Sequence, residues 1–127
     1  MLYLYLAIGG VLGTLARYRM GGWVPGWAGT WIPWGTFAVN LIGSFVLGLA
    51  VQAASALPLS PEVRGLVTVG FCGAFTTFST LMYETAVLLQ DGQWGRAAAY
   101  AFGSLALGLV AMFLGFAAAP LLTRTGA

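Results

Sequence analysis

Apolar residues run along the chain in four long blocks, at about 2–19, 33–56, 63–89 and 95–122. The connectors between them, GGWVPGWAGTW, LPLSPE and QDGQW, are dense in glycine, proline and polar residues, as turns should be. A helix that crosses a bilayer needs about 20 mostly apolar residues. The pattern therefore predicts an all-α membrane protein with four transmembrane helices. An even number of crossings puts both termini on one side, and the linkers at 20–32 and 90–95 on the other. Trp23, Trp27, Trp31 and Trp34 cluster at the first of these linkers and Trp94 sits at the second, which predicts an interfacial aromatic belt on that face.

The third block is the unusual one. Its 27 residues from Val63 to Leu89 would span roughly 40 Å as a continuous helix, against a hydrocarbon core of about 30 Å. It must tilt, protrude or break. Its centre is Thr76, within the string GFCGAFTTFST; Gly73 lies one turn earlier and Thr76-Thr77 is a β-branched pair, and both lower helix propensity. A break there frees backbone carbonyls at mid-membrane, tolerable only where protein, water or a bound ion satisfies them. Freed carbonyls attract cations, and half-helix N-termini attract anions. Phe71, Phe75 and Phe78 follow helical spacing, so they read equally as core or as ring edges turned towards a polar track.

Polar residues within the blocks fall in stripes. Thr36, Asn40 and Ser44 are four apart and share one helix face, as do Tyr100 and Ser104, with Gly108 continuing the line. The third block adds Thr76, Thr77, Ser79 and Thr80. These groups donate hydrogen bonds but carry no charge. Taken singly, each reads as glue between helices, in company with the small-residue pairs Gly9-xxx-Gly13, Ser44-xxx-Gly48 and Ser104-xxx-Gly108. Taken as stripes on three helices, they read as a polar path.

Composition sharpens this picture. Of 127 residues, 60% are hydrophobic and 6% charged, where a soluble domain carries roughly 25% charged residues, so this surface faces lipid. One compact membrane domain over 1–127, without a soluble module, is expected. The N-terminus, MLYLYLAIGG, has neither a basic leader nor a small-residue cleavage site, so the first block is expected to be a span rather than a removable signal. The single Cys72 excludes an internal disulfide and a multi-cysteine metal site. With no histidine and no nucleophile–base pair in view, an enzyme is not expected. A dispersed net charge of +2 does not suit nucleic acid. Arginine counts barely orient the chain: Arg64 and Arg124 lie on one side, Arg19 and Arg96 on the other, with Arg17 joining the latter if it snorkels. Both a fixed topology and insertion in both orientations satisfy that near-tie.

Three strings, GGVLGTLARY at 9–18, GTFAVNLIGSFVLG at 35–48 and GFCGAFTTFSTLMYE at 70–84, resemble the Fluc/CrcB family of bacterial fluoride channels. The likeness covers nearly the whole chain, and the third string is the most specific. It implies a passive, highly selective fluoride channel of the bacterial inner membrane that exports cytoplasmic fluoride and lowers its toxicity. It implies an antiparallel, dual-topology homodimer, with two pores lined by both subunits and a structural sodium ion at the dimer axis. Carried over by position, Asn40 matches the pore asparagine and Phe78 the first phenylalanine of an aromatic pair. Ser79 and Thr80 match the adjoining hydroxyl track, and Tyr100 and Ser104 resemble its portion on the fourth span. The backbone carbonyls of Gly73 and Thr76 match the sodium site; Arg17 and Glu84 match positions near a vestibule. One departure stands out: where the family commonly has a second phenylalanine, this chain has Leu81, with Phe71 or Phe75 as possible substitutes. Two rival readings are a small dual-topology proton-coupled exporter, which needs a membrane-embedded acid, and a non-conducting structural subunit.

Overall fold

The computed structural model describes residues 1–24 and 30–124, and these residues form helices with no strand among them. Helix α1 is Leu2–Trp23 and α2 is Trp34–Ala56. The third block begins with α3 (Pro61–Gly65), continues as a π-helical segment (Leu66–Cys72), and ends its first half with α4 (Gly73–Phe75). After a break come α5 (Phe78–Gln90) and α6 (Trp94–Arg124). Trp34–Ala56, Pro61–Gln90 and Trp94–Arg124 are each long and apolar enough to cross a membrane. At 22 residues α1 is also long enough, but Arg17 and Arg19 near its C-terminal end make it more polar than those three. It runs past the expected boundary at 19, through Met20 and two glycines, to Trp23. Of the belt tryptophans, Trp23, Trp31 and Trp94 are exposed; Trp27 lies outside the described residues.

Local chemistry explains the ends of these elements. Ser60 caps α3 by accepting the Val63 N–H, Pro61 opens the first turn, and Glu62 complements the positive end of the helix dipole. The Arg64 guanidinium donates to the Ala54 carbonyl at 3.1 Å, supplying a partner to one of the last carbonyls of α2. The turn from α5 to α6 uses Gly92 at φ +74°, a conformation that suits glycine. Gly92 N–H donates to the Leu89 carbonyl and Gln93 N–H to the Leu88 carbonyl, the paired bonds of a Schellman motif. Arg96 then clasps the linker before α2, donating to the Thr30 and Trp31 carbonyls, and also donates to Gln93 Oε1.

Packing follows from small residues. Helix α2 makes its most extensive contact with α6, and α1 lies along the π segment. A β-carbon on Gly115 of α6 would collide with the Phe45 carbonyl oxygen of α2, and one on Gly13 of α1 would collide with the Phe71 carbonyl oxygen. Backbones therefore approach to a distance that no side chain permits, as expected where lipid removes the hydrophobic drive between helices. By contrast, a β-carbon on Gly10 meets nothing within 4 Å.

Gly115→Val is accordingly expected to destabilise the fold by about 1–3 kcal/mol through overpacking, whereas Gly10→Ala is near neutral. Thermal unfolding of the detergent-solubilised protein checks both, and equal melting temperatures would show that the α2–α6 contact yields.

Candidate functional site

The first half of the third block ends at Thr76, whose N–H and Oγ1 both donate to the Cys72 carbonyl, at 3.0 and 2.9 Å. Thr76 (ψ 158°) and Thr77 (φ −148°, ψ 117°) are extended, and α5 starts at Phe78. The break foreseen at Thr76 is thus real. It is held from α2: Asn40 Oδ1 accepts the Thr77 N–H at 2.7 Å, and Asn40 Nδ2 donates to the Thr77 carbonyl at 3.0 Å. Thr77 Oγ1 caps α5 by accepting the Thr80 N–H at 3.3 Å, and its own proton goes to Thr80 Oγ1 at 3.0 Å.

Two diverted donors result. In an unbroken helix the Thr77 N–H would reach the Gly73 carbonyl, and the Thr80 N–H the Thr76 carbonyl. Here the first goes to Asn40 and the second to the Thr77 side chain, so the Gly73 and Thr76 carbonyls have both lost their helical donor. The positive N-terminal end of α5 lies next to them.

Between α2, α5 and α6 lies a groove of about 430 Å³. Asn40, Ser44, Phe78, Leu81 and Ser104 line it, together with Phe102. Asn40 has two N–H donors, of which Thr77 takes one. Ser104 is only 7% exposed, yet its hydroxyl has no hydrogen-bond partner among the described residues. A buried hydroxyl without a partner costs about 1–3 kcal/mol, so this one, on a residue that lines the groove, calls for a partner such as a ligand. Phe78 is 74% exposed, its ring standing outward at the open side. A second hollow of about 680 Å³, between α1, α2 and α5, is lined by Arg17, Thr36, Thr77 and Thr80.

The expected site residues are thereby divided. Asn40, Phe78 and Ser104 share the first groove; Arg17 and Thr80 share the second hollow; Ser79 is exposed and lines neither. Tyr100 lies fully buried beneath the first groove rather than on its wall, donating to Glu84 Oε2 at 2.5 Å. Thr36 donates to Glu84 Oε1 at 2.8 Å. Glu84 therefore links α2, α5 and α6 through two hydroxyls, each occupying one of its oxygens. The aromatic substitutes considered for Leu81 are elsewhere: Phe75 is buried, stacked on Phe71 at 5.5 Å, and presses on the space beside Gly43. Leu81 itself lines the groove and packs against the cluster around Tyr100. Phe102 of α6 is a groove residue that sequence reasoning missed; two residues from Ser104, it lies off the stripe of Tyr100 and Ser104.

Residues 4–116 match the family described as CrcB-like protein, Camphor Resistance (CrcB). Among curated relatives, a protein of Thermus thermophilus is 52% identical over 114 residues, covering 90% of each chain. One from Chlorobaculum tepidum is 51% identical over 113 residues, covering 88% of this chain and 89% of the relative. One from Acidobacterium capsulatum is 50% identical over 116 residues, covering 91% and 93%. Each of the three bears the name fluoride-specific ion channel FluC.

Removing the Asn40 amide leaves the Thr77 N–H and carbonyl without partners. Asn40→Ala is expected to cost about 1–3 kcal/mol of stability and to speed amide exchange at Thr77. Thermal unfolding with residue-resolved hydrogen exchange measures both; unchanged protection at Thr77 would remove the clamp.

Proposed function

The chain belongs to the CrcB family, and on that premise we propose that it is a passive, fluoride-selective channel that exports fluoride from the bacterial cytoplasm. It is a multi-pass membrane protein of an ion-channel family and not an enzyme. The observation that carries the reading is the set of donors gathered in one groove: the free Asn40 N–H, the unpartnered Ser104 hydroxyl and the exposed Phe78 ring. Fluoride is small and holds water tightly, so a pore has to replace that water with dense donors. Conduction also requires that the ion leave again. Neutral donors and a ring edge suit both needs, since a fixed positive charge beside the path would retain the anion.

In this reading four helices span the inner membrane, and two subunits pair antiparallel after inserting in both orientations. Support comes from the groove's open side, where Phe78 stands 74% exposed and a partner's wall would close a pore. Two pores per dimer follow from the symmetry of such a pair. Arg17 and Thr80, in the wide hollow, form the vestibule that gathers anions, and Ser79, exposed beside Thr80 on α5, would extend the hydroxyl track. Tyr100 acts from below, through Glu84, to position α5 against α6. The carbonyls of Gly73 and Thr76, stripped of their helical donors, are the oxygens that would hold a structural sodium ion between subunits. Among the described residues no cluster of acidic, histidine or cysteine side chains competes for that role. When bound, such a cation supplies positive potential that favours anions nearby.

Purified protein in liposomes, followed with fluoride and chloride electrodes, tests the function. Fast fluoride efflux with negligible chloride efflux is expected; proton-coupled exchange or no flux would sink it and favour an exporter or a structural subunit. Within that assay, Phe78→Ile is expected to cut fluoride efflux roughly tenfold or more, the effect of about 1.4 kcal/mol at the barrier. Leu81→Phe is expected to leave efflux within the same order, because the groove already works with leucine there; a collapse would show that a ring at 81 obstructs it.

A further inference from the structure

Several hydroxyls on these helices bond within their own helix. Ser55, Thr68, Thr76 and Thr85 each donate to the carbonyl four residues earlier, the usual way a helix absorbs a hydroxyl. Ser104 does not, and neither does Ser44 of α2, which has the same carbonyl available from Asn40. Both residues line the 430 Å³ groove, the Ser104 hydroxyl buried in its wall. Ser44 also lines a smaller hollow of about 220 Å³ that reaches Thr76 and Thr77 at the break. Asn40 and Ser44 are the polar side chains common to both spaces. They sit one helical turn apart on one face of α2.

The facing helix leaves this hydroxyl uncovered. Across from Ser44, α6 carries Gly108, and a β-carbon placed there would meet only Ser44 Oγ, at 3.9 Å. The stripe of Tyr100 and Ser104 on α6 thus runs out at Gly108, and Ser44 supplies a hydroxyl from the opposite wall at that level. We propose that Ser44 is a fluoride-contacting residue, continuing the donor path of Asn40 and Ser104 from the far side of the groove. The proposal rests on the channel reading above. A small, strongly hydrated anion at that level accepts hydrogen bonds from Ser44 on one side and Ser104 on the other, with the Asn40 N–H one turn away. Helix packing needs only a small residue at 44, which Ser→Ala keeps, and the hydroxyl itself has no hydrogen-bond partner among the described residues.

Fluoride efflux from liposomes, measured against internal fluoride concentration, tests this with wild type, Ser44→Ala and the double variant Ser44→Ala/Gly108→Ser. The double variant returns a hydroxyl to the same space from α6, where a β-carbon meets only an ordinary contact. Expected results are a roughly tenfold lower efflux for Ser44→Ala, a raised half-saturating fluoride concentration, and substantial recovery of both in the double variant. Ser44→Ala behaving as wild type would overturn the proposal. So would lowered efflux with unchanged half-saturation and no recovery, which is the signature of a packing defect. Wild-type protein passing no fluoride would instead overturn the channel reading itself, so the two failures are distinguishable.

Discussion

A side-chain amide standing in for backbone is the interaction on which the rest of this structure depends. Asn40 offers Thr77 an acceptor and a donor in the geometry that another peptide group would offer, and so makes a helix break tolerable at membrane depth. Without it, the Thr77 N–H and carbonyl would be left without these partners, and the chain would be driven to re-form a continuous helix. Everything at the site is downstream of that clamp. It turns Phe78 outward, starts α5 at mid-membrane with its positive end inward, and deprives the Gly73 and Thr76 carbonyls of their helical donors. Asn40 retains one N–H while doing so, which lets one residue serve both architecture and ion.

The walls around the break are built by close backbone approach rather than by large side chains. Gly13 lets α1 lie against the π segment, and Gly115 lets α2 and α6 meet. Tight packing on those faces leaves the polar groups of α2, α5 and α6 concentrated along the seam between them. There the hydroxyls separate by what they bond. Some are absorbed by their own helices and act as part of the backbone network. Thr36 and Tyr100 are spent on Glu84, an acid that would otherwise be uncompensated within the bundle. Ser44 and Ser104 have no hydrogen-bond partner among the described residues, and both line the same space as Phe78.

Much of this was legible in the chain. The length of the third block against the bilayer, with Gly73 and a β-branched pair at its centre, located the break to the residue. The spacing of Asn40 and of Ser104 placed them on faces that do meet. Less was legible about Tyr100 and Glu84. Periodicity put Tyr100 on the stripe of Ser104, but a helix face wide enough to hold both also turns part of itself inward, and Glu84 draws the phenol there. Phe71, Phe75 and Phe78 shared a spacing that implied a shared role; the break ends helical periodicity between Phe75 and Phe78, so the first two are packed and the third is exposed.

By itself, then, the sequence determined the solvent, the helical class, the approximate boundaries and the point of failure in the third block, because these follow from hydropathy, length and local propensity. It also carried the motifs that identify the family. Tertiary structure alone decided which hydroxyls are consumed and which are free, because a hydroxyl's partner is chosen by whatever carbonyl, carboxylate or empty space the neighbouring helix presents. The same holds for Asn40, whose role in holding the break exists only once α2 lies against it.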